Sequence, residues 1–312
     1  MQQVYPDYYK DFRCIAGTCK HNCCIGWEID IDPDKAEFYK NVPGEMGRRL
    51  KEGIHWGDEP HFILQEGERC PFLNDCNLCD IILELGEEHI CSICTEHPRF
   101  YNELPDDRLE VGLGLCCEEA ARLILGKKEP VTLEYDCETG EEDVVIVLRD
   151  EAIAILQERD KSMDERVGDM LQLCGAVRTG KSIGQWAEFL LGLERLDETW
   201  TDLLNLLLEQ GAQADHEGFD IHMQERQTEY EQLLVYLVYR HMANAVDEAD
   251  LAARAGFAAL GYTILRAMGA VIWTRTGEFT FEQQVELARL FSSEIEYSDE
   301  NLDMILDELA LG

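Results

Sequence analysis

The segment CPFLNDCNLCDIILELGEEHICSICTEHPRF, Cys70 to Phe100, holds five cysteines in thirty-one residues and runs into His-Pro-Arg. An upstream run, CIAGTCKHNCC from Cys14 to Cys24, adds four more, and GLGLCCEE supplies the adjacent pair Cys116-Cys117. Of thirteen cysteines, twelve lie at or before Cys137 and only Cys174 lies beyond. A fold with so many thiols in one region must bond them, bury them or give them to metal.

A secreted disulfide scaffold is one solution. The opening MQQVYPDYYKDF has neither the basic segment nor the apolar run of a signal peptide, so the expectation is a cytoplasmic protein with reduced thiols. The cysteine count is odd, the neighbours Cys23-Cys24 and Cys116-Cys117 are awkward disulfide partners, and Cys-x-x-Cys pairs have the spacing of metal ligands. Metal binding is therefore the reading of choice. At 312 residues the chain has material enough for a core without staples, so a metal would serve more than stability.

The formal charge is -37, with 29 acids against 14 bases up to residue 140 and 35 against 13 afterwards. Such a field repels phosphate backbones and anionic lipid, which excludes nucleic acid as an expected partner and admits a lysine-rich one. The most apolar run, FAALGYTILRAMGAVIW from Phe257, carries Arg266 at its centre, so a buried helix is expected and no integral membrane segment.

The fold class expected is mainly α: an irregular cysteine-rich metal-binding domain over residues 1–140, followed by an α-helical bundle domain over 141–312. Prolines at 6, 33, 43, 60 and 71 break long periodicity early in the chain. Asp32 and Pro33 suit the start of a short helix, and Gly86 a stop. The segment DDRLEVGLGLCCEEAARLIL is expected to begin extended and become helical near Cys116. Beyond residue 140, three-and-four spacing of apolar residues predicts helices over 145–160, 162–176, 181–193, 197–210, 226–246, 247–274 and 280–311, the last broken near Ser298.

The ligand signals are Cys91-x-x-Cys94, Cys70 with Cys79, and Cys19-x-x-x-Cys23-Cys24. Twelve cysteines exceed one four-ligand site, and spacing alone does not choose between zinc and an iron–sulfur cluster. The order PDYYKDFRCIAGTCKHNCCIGWEIDID, then Cys70 to Phe100, then LGLCCEEAARLIL resembles the flagellin lysine N-methylase family over roughly residues 5–126. Shorter pieces resemble the wider group of zinc- or iron-chelating cysteine-cluster domains.

The resemblance implies methyl transfer from S-adenosylmethionine to lysine side chains of flagellin, in a protein with an iron–sulfur site of the 4Fe-4S kind or, alternatively, zinc. It implies Cys19, Cys23, Cys24, Cys70, Cys79, Cys91, Cys94, Cys116 and Cys117 as ligands and leaves Cys76 as an extra thiol. Radical S-adenosylmethionine enzymes carry Cys-x-x-x-Cys-x-x-Cys, and this chain has Gly26 where the third ligand would stand. EVGLGLC, Glu110 to Cys116, approaches the glycine loop of doubly wound methyltransferases but ends in cysteine and has no strand-helix series after it, so a bend delivering Cys116-Cys117 is expected.

Other candidates are Arg99 for a cofactor carboxylate, His97 as a ligand, Trp27 as a shield, Glu118 and Glu119 for recruiting lysine, and Tyr101 or Tyr135 as base. The rival readings are a non-catalytic metal-chelating or electron-transfer module with a partner-binding helical domain, and a thiol redox sensor. Oligomeric state has no signature in the sequence.

Overall fold

The computed structural model describes residues 2–105, 107–136, 143–178 and 180–311, so the boundary expected near residue 140 and Cys137 fall outside the described residues. Contacts divide the chain differently: one compact unit is Arg13–Phe100, and the other joins Met1–Phe12 to Tyr101–Gly312. The reason lies in the first strand. β1, Gln2–Pro6, runs parallel to a strand that pairs Gln2 with Arg108, and antiparallel to one that pairs Val4 with Tyr135.

In the unit Arg13–Phe100, α1 (Pro33–Asn41) and α2 (Gly44–Gly53) precede the two short strands β2 (Ile54–His55) and β3 (His61–Phe62). Two further short helices follow, α3 (Asp80–Leu85) and α4 (Ser92–Glu96). As expected, Asp32 stands at the N-cap of α1 with Pro33 beside it, and α3 ends on Gly86 at φ 106°, a left-handed position that favours glycine. A small core holds the unit together, with Ile29, Ile31, Tyr39, Leu50, Phe62 and Phe72 buried beside Cys70 and Cys91.

The other unit is built on a four-stranded sheet in the order β4-β5-β1-β6, where β4 is Arg99–Leu104, β5 is Arg108–Leu113 and β6 is Leu133–Tyr135. Between β5 and β6 lies α5, Glu118–Gly126, which starts after Cys117 close to the expected place. Then come α6 (Val144–Leu156), α7 (Met163–Leu173), α8 (Ile183–Leu191) and α9 (Glu198–Gln210). They are followed by α10 (His216–His222), α11 (Gln227–His241), α12 (Glu248–Thr276), α13 (Phe281–Phe291) and α14 (Asp299–Leu311). The protein is mainly α, and the seven helical stretches expected past residue 140 all contain helix; of the α-helices among the described residues beyond 140, α10 was not foreseen, nor were α2 and α4 earlier in the chain.

Local chemistry explains several of these boundaries. Ser162 with Glu165, Ser182 with Gln185 and Thr280 with Gln283 each form a reciprocal capping box that satisfies orphan backbone N–H groups. α12 is long and apolar enough to cross a membrane by composition alone, yet 78% of its most apolar window is buried inside the protein. Glycines let it pack closely: a Cβ at Gly261 would lie 2.8 Å from Leu237, and one at Gly269 2.8 Å from Phe219. The break expected near Ser298 begins earlier, with a π-helical turn over Ser292–Glu296 between α13 and α14.

Candidate metal centre

Within Arg13–Phe100 the sequence delivers thiols from three places onto one core. Cys70 and Cys91 are buried in it, and Cys24, Cys79 and Cys94 pack against it half-buried. Cys24 arrives from the first cysteine run, whose backbone joins the second through the Cys70 N–H donating to the Cys24 carbonyl at 2.9 Å. Cys79 and Cys91 each stand at the N-cap of a short helix, α3 and α4, and Cys94 lies one turn into α4. Asp32 ties two of these segments: its carboxylate caps no N–H of its own helix but accepts from the Ser92 backbone N–H at 2.8 Å, at the start of α4.

The thiols feel one another. Cys91 is lowered from the ordinary thiol value by hydrogen bonds from Cys94 and from the Tyr39 hydroxyl, which burial opposes. Cys94 is raised in turn by its bond to Cys91, by burial, and by the charges of Cys91, Cys24 and Cys70. Burial pushes Cys70 up to about 11, with Cys79 and Cys91 adding to it, and burial likewise raises Cys79. Thiolates that crowd together in an apolar core repel one another unless cations share them. Tyr39 sits fully buried at the edge, its hydroxyl 2.6 Å from the His89 carbonyl and 3.7 Å from Cys91 Sγ.

The fit to a metal rests on this donor set, five soft thiols without a carboxylate among them, which suits zinc or iron–sulfur. Among the described residues no three of these sulfurs lie within 4.8 Å of one another.

The remaining expected ligands have other surroundings. Cys19 is half-buried, its thiol donating to the His21 carbonyl at 3.2 Å, and Cys23 is exposed and hydrogen-bonds to Cys24. Cys76, held apart in the sequence, is exposed on a turn in which Asn74 Oδ1 accepts from the Cys76 and Leu78 N–H groups at 2.9 and 3.1 Å. Trp27 donates to the Cys23 carbonyl at 2.6 Å and faces His97, ring centroids 6.5 Å apart. His97 is lowered by burial and by Arg99, whose guanidinium donates to the Thr95 carbonyl at 3.1 Å.

Cys116 and Cys117 belong to the other unit, before α5. Burial pushes the Cys116 thiol up to about 12, against a hydrogen bond with Tyr297 and the charge of Arg240. Behind it stands a buried network that sequence reasoning missed. Glu296 accepts from Tyr236 at 3.1 Å and from His241 Nε2 at 2.6 Å, Arg240 Nη1 donates to the Tyr236 hydroxyl at 2.7 Å, and the Leu115 N–H reaches the same hydroxyl at 3.2 Å. Burial alone would raise the Glu296 carboxyl; the charge of Arg240 and the hydrogen bond and charge of His241 prevail and bring it to about 2. A Cβ at Gly114 would collide with the Tyr297 hydroxyl and lie 3.3 Å from Arg240, so this glycine admits the network to the strand end. The hint in the sequence was the set of polar residues Tyr236, Tyr239, Arg240 and His241 at the end of an otherwise apolar stretch.

Residues 179–311 match the FliB lysine N-methylase C-terminal domain. Curated relatives agree: the chain is 24% identical over 137 residues to the lysine-N-methylases of Salmonella choleraesuis and Salmonella typhimurium, covering 41% of this chain and 33% of each of those proteins. The same identity and length relate it to a flagellar biosynthetic protein, FliU, of Salmonella muenchen, of which 79% is covered. The matched stretch thus spans a third of the two lysine-N-methylases. No solved structure matches the chain. The family match and the relatives together make the later part of this chain similar to lysine N-methylases. The matched segment contains Arg240, His241, Glu296 and Tyr297 and lies outside the unit that gathers the thiols.

The other sequence candidates fall in this second unit. Glu118 is buried and pairs with Arg122 at 3.3 Å, and the half-buried Glu119 shares the same arginine at 3.4 Å. Tyr101 and Tyr135 are exposed, the latter under Arg108 at 5.6 Å. The glycine stretch EVGLGLC does not fit a nucleotide cradle, because Glu110 is fully buried on β5 and engaged by Arg149 at 2.6 and 2.8 Å and by Arg108 at 2.8 Å.

Proposed function

We propose that the protein transfers methyl groups from S-adenosylmethionine to lysine side chains of flagellin, and that its thiol cluster holds an iron–sulfur centre. The observation that carries the methylase reading is the match of residues 179–311 to the lysine N-methylase C-terminal domain. Within the same unit lies a cavity of about 1120 Å³ whose walls include Glu103, Asp143, Asp247 and Glu248, with Val144 and Leu251 among its apolar lining. Carboxylates around an apolar floor suit a side chain with a long alkyl stem and a cationic head.

In the transfer, the lysine Nζ–CH₃ bond forms as the sulfonium S–CH₃ bond breaks, S-adenosylhomocysteine leaves, and the amine loses a proton. The nucleophile is the neutral amine, whose ordinary pKa is about 10.4. Carboxylates favour the ammonium form, so Glu103, Asp143, Asp247 and Glu248 are assigned to recruiting the lysine and not to deprotonating it. Cys24, Cys70, Cys79, Cys91 and Cys94 would hold the cluster, which supplies redox or Lewis-acid chemistry when bound.

The test is incubation of anaerobically purified, iron-reconstituted protein with methyl-labelled S-adenosylmethionine and flagellin, followed by mass spectrometry of lysines. Label on lysine is expected. Unlabelled flagellin despite a full metal complement would favour the second reading, a metal-chelating or electron-transfer module, which the contiguous thiol-bearing unit Arg13–Phe100 also supports.

A further inference from the structure

Strand alternation places three potential ligands on one outer face of the unit Arg13–Phe100. Ile29 and Ile31 point into the core, so Glu28 and Asp30 between and beside them point outward together. Asp30 is bridged to His61 across the next strand, an arrangement fixed by Phe62 N–H donating to the Ile29 carbonyl at 3.1 Å and Ile31 N–H to the Pro60 carbonyl at 2.8 Å. Phe62 is buried inward, and His61 therefore faces outward with the two carboxylates. The ligand atoms of Glu28, Asp30 and His61 all lie within 4.8 Å of one another.

The orientation of the imidazole adds an independent constraint. His61 Nδ1 lies 3.0 Å from the Glu59 backbone carbonyl, which can only accept, so Nδ1 carries the hydrogen. The other nitrogen, Nε2, is 3.4 Å from Glu28 Oε2. Either a proton or a metal ion on Nε2 satisfies the facing carboxylate. A backbone carbonyl holding one ring nitrogen so that the other is free to ligate is the usual outer support of a metal-bound histidine. His55 stacks on the His61 ring at 4.8 Å and 19°, limiting its rotation from the other side.

We propose that Glu28, Asp30 and His61 form a site for a divalent first-row transition ion, distinct in chemistry from the thiol cluster. Two carboxylates and one neutral imidazole balance a double positive charge, and the mixed oxygen and nitrogen set suits manganese, iron, cobalt or zinc better than calcium or magnesium. Metal–ligand distances of about 2.0–2.2 Å would draw the three side chains inward, which their exposure permits.

Manganese(II) is the probe, because it is hard and bypasses thiolates. The intact protein is titrated with Mn(II) and followed by electron paramagnetic resonance, with pulsed measurement of nitrogen coupling. One ion bound with coupling to a single imidazole nitrogen is expected. His61→Ala should abolish that coupling and weaken binding at least tenfold, and Glu28→Gln with Asp30→Asn should weaken it comparably while the circular dichroism spectrum stays unchanged. Binding without nitrogen coupling, or binding unaffected by either variant, would overturn the site and ascribe the uptake to the overall acidic surface. Absence of binding in the intact protein would overturn it as well.

Discussion

At the level of single residues, the Cys-x-x-Cys spacing announced Cys91 and Cys94, but it announced Cys76 and Cys79 equally. What separates Cys76 is its turn: Asn74 holds the backbone so that Cys79 packs against the core and Cys76 is exposed. On the proposed thiol-held centre, Cys91→Ser should cost most of the iron or zinc bound per chain, while Cys76→Ser should leave it near the parent value, as read by metal analysis of purified protein. Loss of metal from Cys76→Ser alone would reverse the assignment. Tyr39 had no signature in the sequence, since a tyrosine on a helix is usually plain core. Tyr39→Phe removes a buried hydrogen bond to the His89 carbonyl and should lower stability by about 1–2 kcal/mol in denaturant unfolding. Glu296 was equally hidden, because its partners Tyr236, Arg240 and His241 lie a whole helix pair away. Its carboxyl is held at about 2, below the ordinary value, so its contribution is complete above the unfolded pKa near 4.3 and is lost as pH falls toward 2. Glu296→Gln should therefore be destabilised by roughly 3 kcal/mol at pH 7 and should show a smaller loss of stability than the parent between pH 5 and pH 2.

Among the elements, helices were legible, and of the sheet only the extended start of DDRLEVGLG was. Apolar spacing and the Ser/Thr-x-x-Glu/Gln boxes are local signals, and they mark α7, α8 and α13 directly. β1 is short, and its partners are residues 108–110 and 133–135, so nothing in its own sequence shows what it pairs with. The glycines of EVGLGLC carried a real signal that pointed elsewhere: they serve a strand end where Gly114 meets Tyr297 and Arg240. Gly114→Ala should displace Tyr297 from Cys116, read as a change in Tyr297 fluorescence or in the alkylation rate of Cys116, with the helical content retained. Asp32 shows how one side chain can join elements, since it starts α1 in sequence but caps α4 in space. Asp32→Ala should cost about 1 kcal/mol and loosen the segment carrying Cys91 and Cys94.

For the whole molecule, contacts separate Arg13–Phe100 from a unit that joins Tyr101–Gly312 to Met1–Phe12, and the first segment belongs there because β1 pairs with β5 and β6. Removing residues up to Phe12 would strip the helical unit of buried Val4, Tyr5, Tyr8 and Phe12, and of the Val4 carbonyl that Tyr239 reaches at 3.0 Å. The shortened chain should melt at least about 10 °C lower, as followed by circular dichroism. The same placement of β1 bears on biosynthesis. As the chain leaves the ribosome, Arg13–Phe100 emerges as one continuous stretch and can close around its thiols, while β1 has no neighbour until β5 and β6 have been translated. The nascent chain would thus present a finished cysteine pocket before the helical part that surrounds the polar network exists.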